Sequence, residues 1–600
     1  MKFNFLANRL EGGFKNPTSF WLKSWRPFAL LLLLGVILYS QTLFFDFSYL
    51  DDNNLILDNA QILSKANLGD IFSNDVFFSN QKFYYRPIMT LSLWVDFKLM
   101  EALPFWYHLS NIIFHVISAG LLFIFLQRLR LRRTLAWWAS VVFLVHPVLS
   151  SAVAWVPGRN DILLTIFILA SWLFFEAWLR RETWGAWLGH ALFFALALFT
   201  KETAIFLPIL ILVYLFLFRN FSLKEIFKRP TDSSLPTDSG SATHNNYSAL
   251  ELETGGPKES ETEAGESPGT LDPAINLDAL TAKPLINNQT KKIIILVSTW
   301  LTALLVWFLP RSIVLENTDF NIFNLLGSII KSWPAIFLYL GKIVLPLNLS
   351  VFPTLADSNW GPGLGVLVLL VVAFIRWSPR PRRNYLIFGL AWFLLFLLPS
   401  FINPNPSAPS GFFEHRLYLP LIGFMIVFLE LDFIKNLNFK ATKTRIGLGV
   451  LIFIFIVLTL NQSHIFRDRF AFWSGAVNMS PHSAFAHSNL GAMYYLSGDL
   501  PGAINQYQDA LFLNNQEPMA HNNLGLVYLD QKKYPAAEKE FNLELAYNPN
   551  YDKALFNLGR LYYLQKRYLE AAYYWQATLV VNPAYYEAYQ YLLLLRNKIE

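Results

Sequence analysis

Apolar residues along this 600-residue chain gather into long blocks instead of alternating with polar ones. The blocks fall near 27–45, 105–127, 135–149, 162–179, 186–199, 203–218, 293–310, 332–347, 362–375, 385–400, 417–433 and 446–460. Blocks of about 15 to 20 residues match the length of helix that crosses about 30 Å of hydrocarbon. The first, from Pro27 to Phe45, is long and lacks a small-residue cleavage site, so it reads as an uncleaved span and not a signal peptide.

Beyond about residue 465 the pattern changes to a repeat. Asn489-Leu490-Gly491 returns as Asn523-Leu524-Gly525 and Asn557-Leu558-Gly559, an interval of 34 residues. Tyr494, Tyr528 and Tyr562 keep that interval, as do Ala503, Ala537 and Ala571, and then Tyr507, Phe541 and Trp575. This period, with small, aromatic and proline positions, is the tetratricopeptide helix-turn-helix signature. Three full repeats are expected from about 486 to 587, with a half repeat before them (Trp473 and Pro481 in phase) and a capping helix after.

Basic residues sit beside the apolar blocks and set their directions. Lys2, Arg9, Lys15, Lys23 and Arg26 place the N-terminus inside, and Arg128/Arg130/Arg132/Arg133, Arg180/Arg181 and Arg219/Lys224/Lys228/Arg229 follow every second span. The clusters Arg376/Arg380/Arg382/Arg383 and Lys435/Lys440/Lys443/Arg445 fall inside only if 332–347 is re-entrant or lies on the outer surface. Lys331, Pro334, Lys342 and Pro346 suit such a broken helix. Eleven spans result, with the repeats outside.

Composition agrees with this reading. The chain is 54% hydrophobic and only 15% charged, with a mean hydropathy of +0.35, which excludes a large soluble enzyme as the default. A net charge of +6, placed at helix ends, does not point to nucleic acid. The absence of cysteine excludes disulfides, thiolate metal sites and cysteine nucleophiles. From Thr231 to Thr290 the chain holds ten acidic residues, two lysines, five prolines and one aromatic. Such a segment cannot bury enough apolar surface to offset its ordering entropy, so disorder is expected there. The expected organisation is an all-α chain: a membrane domain in two parts, 1–220 and 292–464, a cytoplasmic linker 221–291, and a repeat domain 465–600.

Candidate chemistry lies where the spans emerge outside. Asp51-Asp52 follow the first span, and adjacent carboxylates can divide the work of base and positioning group. Arg86-Pro87 come next, then His108, Asn111 and His115 on one face of the second span, where polar groups are costly unless partnered or functional. The stretch from His146 to Asp161 includes Arg159, a guanidinium suited to bidentate phosphate binding. Lys201-Glu202 and Glu414-His415-Arg416 lie at further outer turns. An acidic turn, a local ion pair and an interhelical hydrogen bond are the plainer readings of these groups taken singly. Their convergence on one side carries more weight than any single motif.

This ordered set resembles the transmembrane and tetratricopeptide-repeat O-mannosyltransferase-like proteins, polyprenyl-phosphate-dependent glycosyltransferases of the GT-C type, and their bacterial relatives. The resemblance rests on Asp51-Asp52, Arg86-Pro87, Tyr107-His108 with Asn111 and His115, His146 to Asp161, Lys201-Glu202, Glu414 with Arg416 to Pro420, and Trp473 before the repeats. It implies transfer of a sugar, typically mannose, from a dolichyl- or undecaprenyl-phosphate donor to a protein hydroxyl on the non-cytoplasmic face. Ser150-Ser151 stand where the family commonly has an acidic residue after His-Pro, which leaves the sugar and a divalent metal open. Gly475 stands where a Glu is expected after Trp473-Ser474. Asp51 is then expected as general base with Asp52 as its close second, and Arg159, Arg86 or Arg416 as phosphate ligands. His108, His115, His146, Lys201, Glu202 and Glu414 are expected to support them. The repeats would hold the acceptor or a partner, in the cytoplasmic membrane of a bacterium, with the repeats on the periplasmic side. A GT-C enzyme acting on a lipid or glycan, and a non-catalytic scaffold displaying repeats, are the alternatives.

Overall fold

The computed structural model describes residues 22–78, 84–219, 288–315, 322–354, 356–378, 380–402 and 412–599. Every regular element among them is a helix. The chain divides into two compact units, 1–219 with 300–600, and 220–299. The linker expected at 221–291 lies outside the described residues up to 287, and 288 already opens the helix Asn288–Val314.

Among the described residues, six helices are long and apolar enough to cross a membrane: Arg26–Phe44, Pro104–Arg128, Val156–Arg181, Gln289–Val314, Arg383–Phe401 and Thr442–His464. A seventh candidate is the pair Arg133–Val145 and Pro147–Ala154, bent by 52°. Pro147 causes the bend, since it lacks an N–H and crowds the preceding turn. Trp184–Thr200, Glu202–Phe218 and Gly361–Trp377 are shorter and apolar. The chain is a multi-pass membrane protein.

Two blocks differ from simple spans. In the 332–347 block, the helix Ile322–Ser332 ends and Ala335–Val344 begins after Pro334. Ten residues rise about 15 Å, half of the hydrocarbon thickness. The span expected at 417–433 is a correction: its helix is only Pro420–Phe428, nine residues. It stops because Glu430, fully buried, turns in to meet Arg382 and, at 4.0 Å, Lys435.

The basic clusters share one end of the bundle. Buried Glu176 lies 4.0 Å from Arg128 and 3.9 Å from Arg219 and pairs with Arg180. Arg132 donates to the carbonyls of Lys435 and Leu437 (3.2 Å to the latter), and Tyr385 donates to the carbonyl of Leu129 at 2.6 Å. These links tie the loops near 130, 180, 219, 382 and 435 together, although they are hundreds of residues apart in sequence.

At the C-terminal end the repeats form as their period predicts. Ala484–Leu496 pairs with Leu500–Leu513, Ala520–Asp530 with Tyr534–Tyr547, and Asp552–Leu564 with Tyr568–Val581. Arg469–Met479 precedes them and Tyr586–Ile599 caps them. The glycine of each Asn-Leu-Gly lets the paired helix close in. A Cβ on Gly491, Gly525 or Gly559 would lie 2.9, 2.6 or 2.3 Å from Tyr507, Phe541 or Trp575, too close for any substitution without a shift.

The repeats are joined to the membrane part through a shared core. Phe45, Trp155 and Val351 bury with Phe466, Phe472, Trp473, Ala486 and Leu490 in one cluster. Polar links surround it: Asp46 N–H to the Arg467 carbonyl at 2.8 Å, Ser480 Oγ to the Phe352 carbonyl at 2.9 Å, and His482 to Asp357 at 2.6 Å. The solenoid therefore starts directly on the loop that follows the first span.

Candidate active site

The first span ends at Phe44 and the chain turns through residues 46–52. Asp52 holds this turn: its Oδ2 accepts from the Ser48 N–H at 2.6 Å and from Ser48 Oγ at 2.5 Å. Asp52 is buried, and its Oδ1 has no partner among the described residues. Asp51 beside it is half-buried. No hydrogen bond to its carboxylate is found among the described residues, and its charge partner is Arg86. Burial raises the Asp51 pKa to about 6, against the pull of Arg86. Burial also raises Asp52, to about 7, with the two Ser48 hydrogen bonds opposing and the Asp51 and Asp46 charges adding to the rise. The pair is thus divided: Asp52 is committed to the backbone, and Asp51 is available. Tyr49, between them and the span, has a left-handed φ of 60°, uncommon for a bulky residue, and Arg469 stacks over its ring at 5.0 Å.

Arg86, the charge partner of Asp51, belongs to a group of cations around His415. Arg86, at the N-terminus of the helix Pro87–Met100, bonds to Glu202 at 3.2 Å and lies over Tyr84 at 4.4 Å. With its amide in the hydrogen-bonding orientation, Asn160 accepts from Arg86 at 3.1 Å and donates to the Thr200 carbonyl at 2.8 Å. Lys201 bonds both carboxylate oxygens of Asp161, at 2.7 and 2.9 Å. Arg416 donates to the Ser400 carbonyl at 3.1 Å and lies over Phe413. His415 sits among them, and burial together with Lys201, Arg416 and Arg86 lowers its pKa well below the usual range, so it is neutral. Counted with Asp51, three cations meet three carboxylates beside a neutral imidazole, so what suits this half-buried region to a phosphate is its gathering of guanidinium and ammonium donors and not a net positive charge.

Arg159 is elsewhere. It is fully buried and all five of its N–H groups are used. Nε meets Asn111 at 2.9 Å; Nη1 meets Asp96 at 2.7 Å and Ser92 at 3.5 Å; Nη2 meets the Tyr107 carbonyl at 2.9 Å and Ser110 at 2.7 Å. The phosphate role expected of Arg159 does not fit these surroundings, because no N–H remains for a ligand. It braces the helices Pro87–Met100 and Pro104–Arg128 and so fixes the mount of Arg86.

The supporting residues divide in the same way. His115 bonds Tyr418 at 2.5 Å and the Leu144 carbonyl at 3.0 Å, an interhelical tie. His146 bonds the Ile343 carbonyl at 3.0 Å and caps the bend at Val148 N–H. His108 is buried edge-on against Phe45. Glu414 pairs with Lys342 and accepts from Ser350 N–H at 3.0 Å, anchoring the helix Ala335–Val344 at the site end. Lys201 and Glu202 join the cation group. Two residues take a role that the sequence does not assign: Asp96, legible only as a lone acid in the apolar run from Ile88 to Met100, and His415, which stands in a candidate motif whose neighbours carry the charge. Among the described residues no three His, Asp or Glu side chains come together to hold a metal.

A family model described as dolichyl-phosphate-mannose-protein mannosyltransferase matches residues 87–229, the segment that begins beside Arg86 and holds Arg159, Asp161, Lys201 and Glu202. Tetratricopeptide-repeat models match 491–532 and 522–587. The chain is similar to Protein O-mannosyl-transferase F38B6.6 of Caenorhabditis elegans, 35% identical over 24% of this chain and 22% of the relative. It is 31% identical to Protein O-mannosyl-transferase TMTC2 of Homo sapiens over 32% of this chain and 24% of the relative. Human TMTC1 matches more broadly, at 26% identity over 81% of this chain and 55% of its own. The matched regions thus span about a quarter of the first two relatives and just over half of the third. The solved first repeat domain of Spaghetti (RPAP3), bound to an HSP90 peptide, matches 20% of this chain and 95% of its own at 25% identity, with a TM-score of 0.19. With a mannosyltransferase match across the site-bearing helices and tetratricopeptide repeats docked beside them, the chain is similar, over part of their length, to the transmembrane and tetratricopeptide-repeat O-mannosyltransferase-like proteins.

Proposed function

We propose that this protein transfers a sugar, mannose or a close analogue, from a polyprenyl-phosphate donor to a serine or threonine hydroxyl of a protein on the non-cytoplasmic face of a bacterial cytoplasmic membrane. The observation that carries the reading is the meeting of Asp51 with Arg86, and of Arg86, Lys201 and Arg416 around His415, on the end of the bundle that also bears the repeats.

The chemistry follows from the bond. A neutral hydroxyl is a weak nucleophile, so its proton passes to the Asp51 carboxylate as its oxygen bonds to the anomeric carbon. The bond from that carbon to the lipid phosphate breaks, and the electron pair leaves on the phosphate oxygen. Arg86, Lys201 and Arg416 stabilise the charge that gathers there, already positioned by Glu202, Asp161 and the Ser400 carbonyl. Arg159 acts at one remove by holding the helix whose first turn presents Arg86. The basic clusters at the opposite end support a cytoplasmic placement of that end, and repeats on the site side would raise the local concentration of an acceptor.

The test is transfer by the purified chain from a mannosyl-phosphoryl polyprenol to a Ser/Thr peptide. Gain of one hexose by the peptide with release of polyprenyl phosphate is expected. Transfer only to a lipid or glycan would move the reading to an envelope-modifying enzyme, and no cleavage of any polyprenyl-phosphate sugar would overturn it in favour of a scaffold.

A further inference from the structure

Arg311 lies in the last turn of the helix Asn288–Val314. On that helix Trp300, Ala303, Trp307 and Val314 are buried, whereas Leu301, Leu305 and Phe308 are exposed. Steps of three and four residues put Arg311 in line with the buried set. It therefore belongs to the stripe that faces the protein and not to the one that faces lipid. Val314 and Leu315 bury with Tyr85, the neighbour of Arg86, which brings this turn to the site end of the bundle.

A guanidinium in this position calls for a counter-charge, because charge within a membrane is costly unless it is paired or functional. Arg311 makes no ion pair with a described residue, and its guanidinium lies over the Trp307 ring at 5.4 Å. The carboxylate that feels its charge is Glu202, which is already hydrogen-bonded to Arg86 at 3.2 Å. Nε of Arg311 and Nε of Arg86 are both buried without a hydrogen-bond partner among the described residues. Water could satisfy either N–H but would leave the Arg311 charge uncompensated. An anion does both, and the guanidinium fork matches phosphate oxygens.

We propose that Arg311 is a further ligand of the donor's phosphate, closing with Arg86 on the anion beside Glu202; the assignment rests on the transferase reading above. The route of the donor supports it. A polyprenyl chain stays in the membrane, so its phosphate approaches along a lipid-exposed surface, and Leu301, Leu305 and Phe308 offer one on the helix that bears the cation. From residue 301 to 311 a helix rises about 15 Å, half of the hydrocarbon thickness. An apolar face that ends at a half-buried guanidinium suits an amphiphile with a long tail and a phosphate head.

Arg311→Gln removes the charge; Arg311→Lys keeps the charge and removes Nε–H and the fork. The first should raise the donor KM about tenfold and the second about threefold, with the peptide KM and kcat at saturating donor unchanged, the pattern of a lost ground-state contact. Polyprenyl phosphate without a sugar should inhibit wild-type protein and lose about tenfold in potency against Arg311→Gln, whereas uncharged polyprenol should act on both alike. If Arg311→Gln fails to fold, Arg311→Lys decides. An unchanged donor KM in a folded variant would overturn the proposal and leave Arg311 as the cation of a helix C-terminus. A fall in kcat with donor KM unchanged would overturn it too, since Arg311 would then only position Arg86 through Glu202. The kinetics are run in vesicles of phosphatidylcholine with and without phosphatidylglycerol; a KM effect confined to the anionic lipid would make bulk headgroups the ligand and also overturn it. If wild-type protein cleaves the donor and the variants match it, only the Arg311 assignment fails. If wild-type protein never cleaves the donor, the transferase reading falls and this assignment with it.

Discussion

Replacing Asp51 by Asn should separate catalysis from folding. The Asp51 carboxylate is half-buried and accepts no hydrogen bond from a described residue, so the isosteric amide removes a charge without opening a cavity or stranding a donor. A substitution of that kind shifts stability by about 0.5 kcal/mol or less. Loss of a general base costs about 10²–10⁴ in rate, about 3–5 kcal/mol of barrier. Asp52→Asn should behave in the opposite way. Its remaining oxygen can still accept from Ser48 N–H and Oγ, but above the Asp52 pKa of about 7 two charge-assisted bonds become neutral ones, at about 1 kcal/mol of stability that vanishes as the pH falls below that value, with a modest loss of rate. The pH dependence adds a check with a defined sign. Asp51 works only when ionised, and its pKa is raised to about 6, so transfer should be maximal above that value and fall about tenfold per unit below it. Asp51→Asn should flatten this limb. The assay is initial-rate transfer from a polyprenyl-phosphate sugar to a peptide between pH 5 and 8, with thermal unfolding of each variant in the same detergent. Full turnover in folded Asp51→Asn, with loss confined to Asp52→Asn, would refute the division of roles.

Arg159→Met should lower stability by about 3–5 kcal/mol, because Asp96 and Asn111 lose their buried partner; a melting temperature within about 2 °C of wild type would contradict the bracing role. Arg416→Ala should instead leave stability nearly unchanged and raise the donor KM about tenfold, read by initial rates at saturating peptide. Truncation after Leu513 keeps the first repeat and the shared core, and should leave an inserted protein that still cleaves donor; truncation after Ile465 exposes Phe45, Trp155 and Val351 and should aggregate, as size-exclusion chromatography will report. The natural chain has no cysteine, so single cysteines can map its sides. Ser497→Cys should react with an impermeant maleimide in spheroplasts and Asn438→Cys only after lysis, and the reverse pattern would invert the topology.

Local periodicity makes much of this protein legible in its amino-acid sequence. A block of apolar residues must satisfy its own backbone in lipid and so becomes a helix, and a 34-residue period encodes contacts between neighbours that lie close in sequence. The types of residue needed for the chemistry are legible too, since Asp51, Lys201 and Arg416 stand close to the ends of those blocks and Arg86 in the loop between the first two. What no local pattern can state is which polar groups remain available once the chain has folded. Asp51 and Asp52 are adjacent and chemically alike, and only the Ser48 bonds assign one to the turn. Arg159 has the chemistry of a phosphate ligand, yet Asp96, Ser92, Tyr107, Ser110 and Asn111 use every N–H it has. The short helix Pro420–Phe428 and the docking of the first repeat on Trp155 depend on partners far along the chain. Periodicity is set by each residue's neighbours in sequence, whereas the availability of a buried donor or charge is set by which distant groups reach it first, and that is a property of the tertiary structure alone.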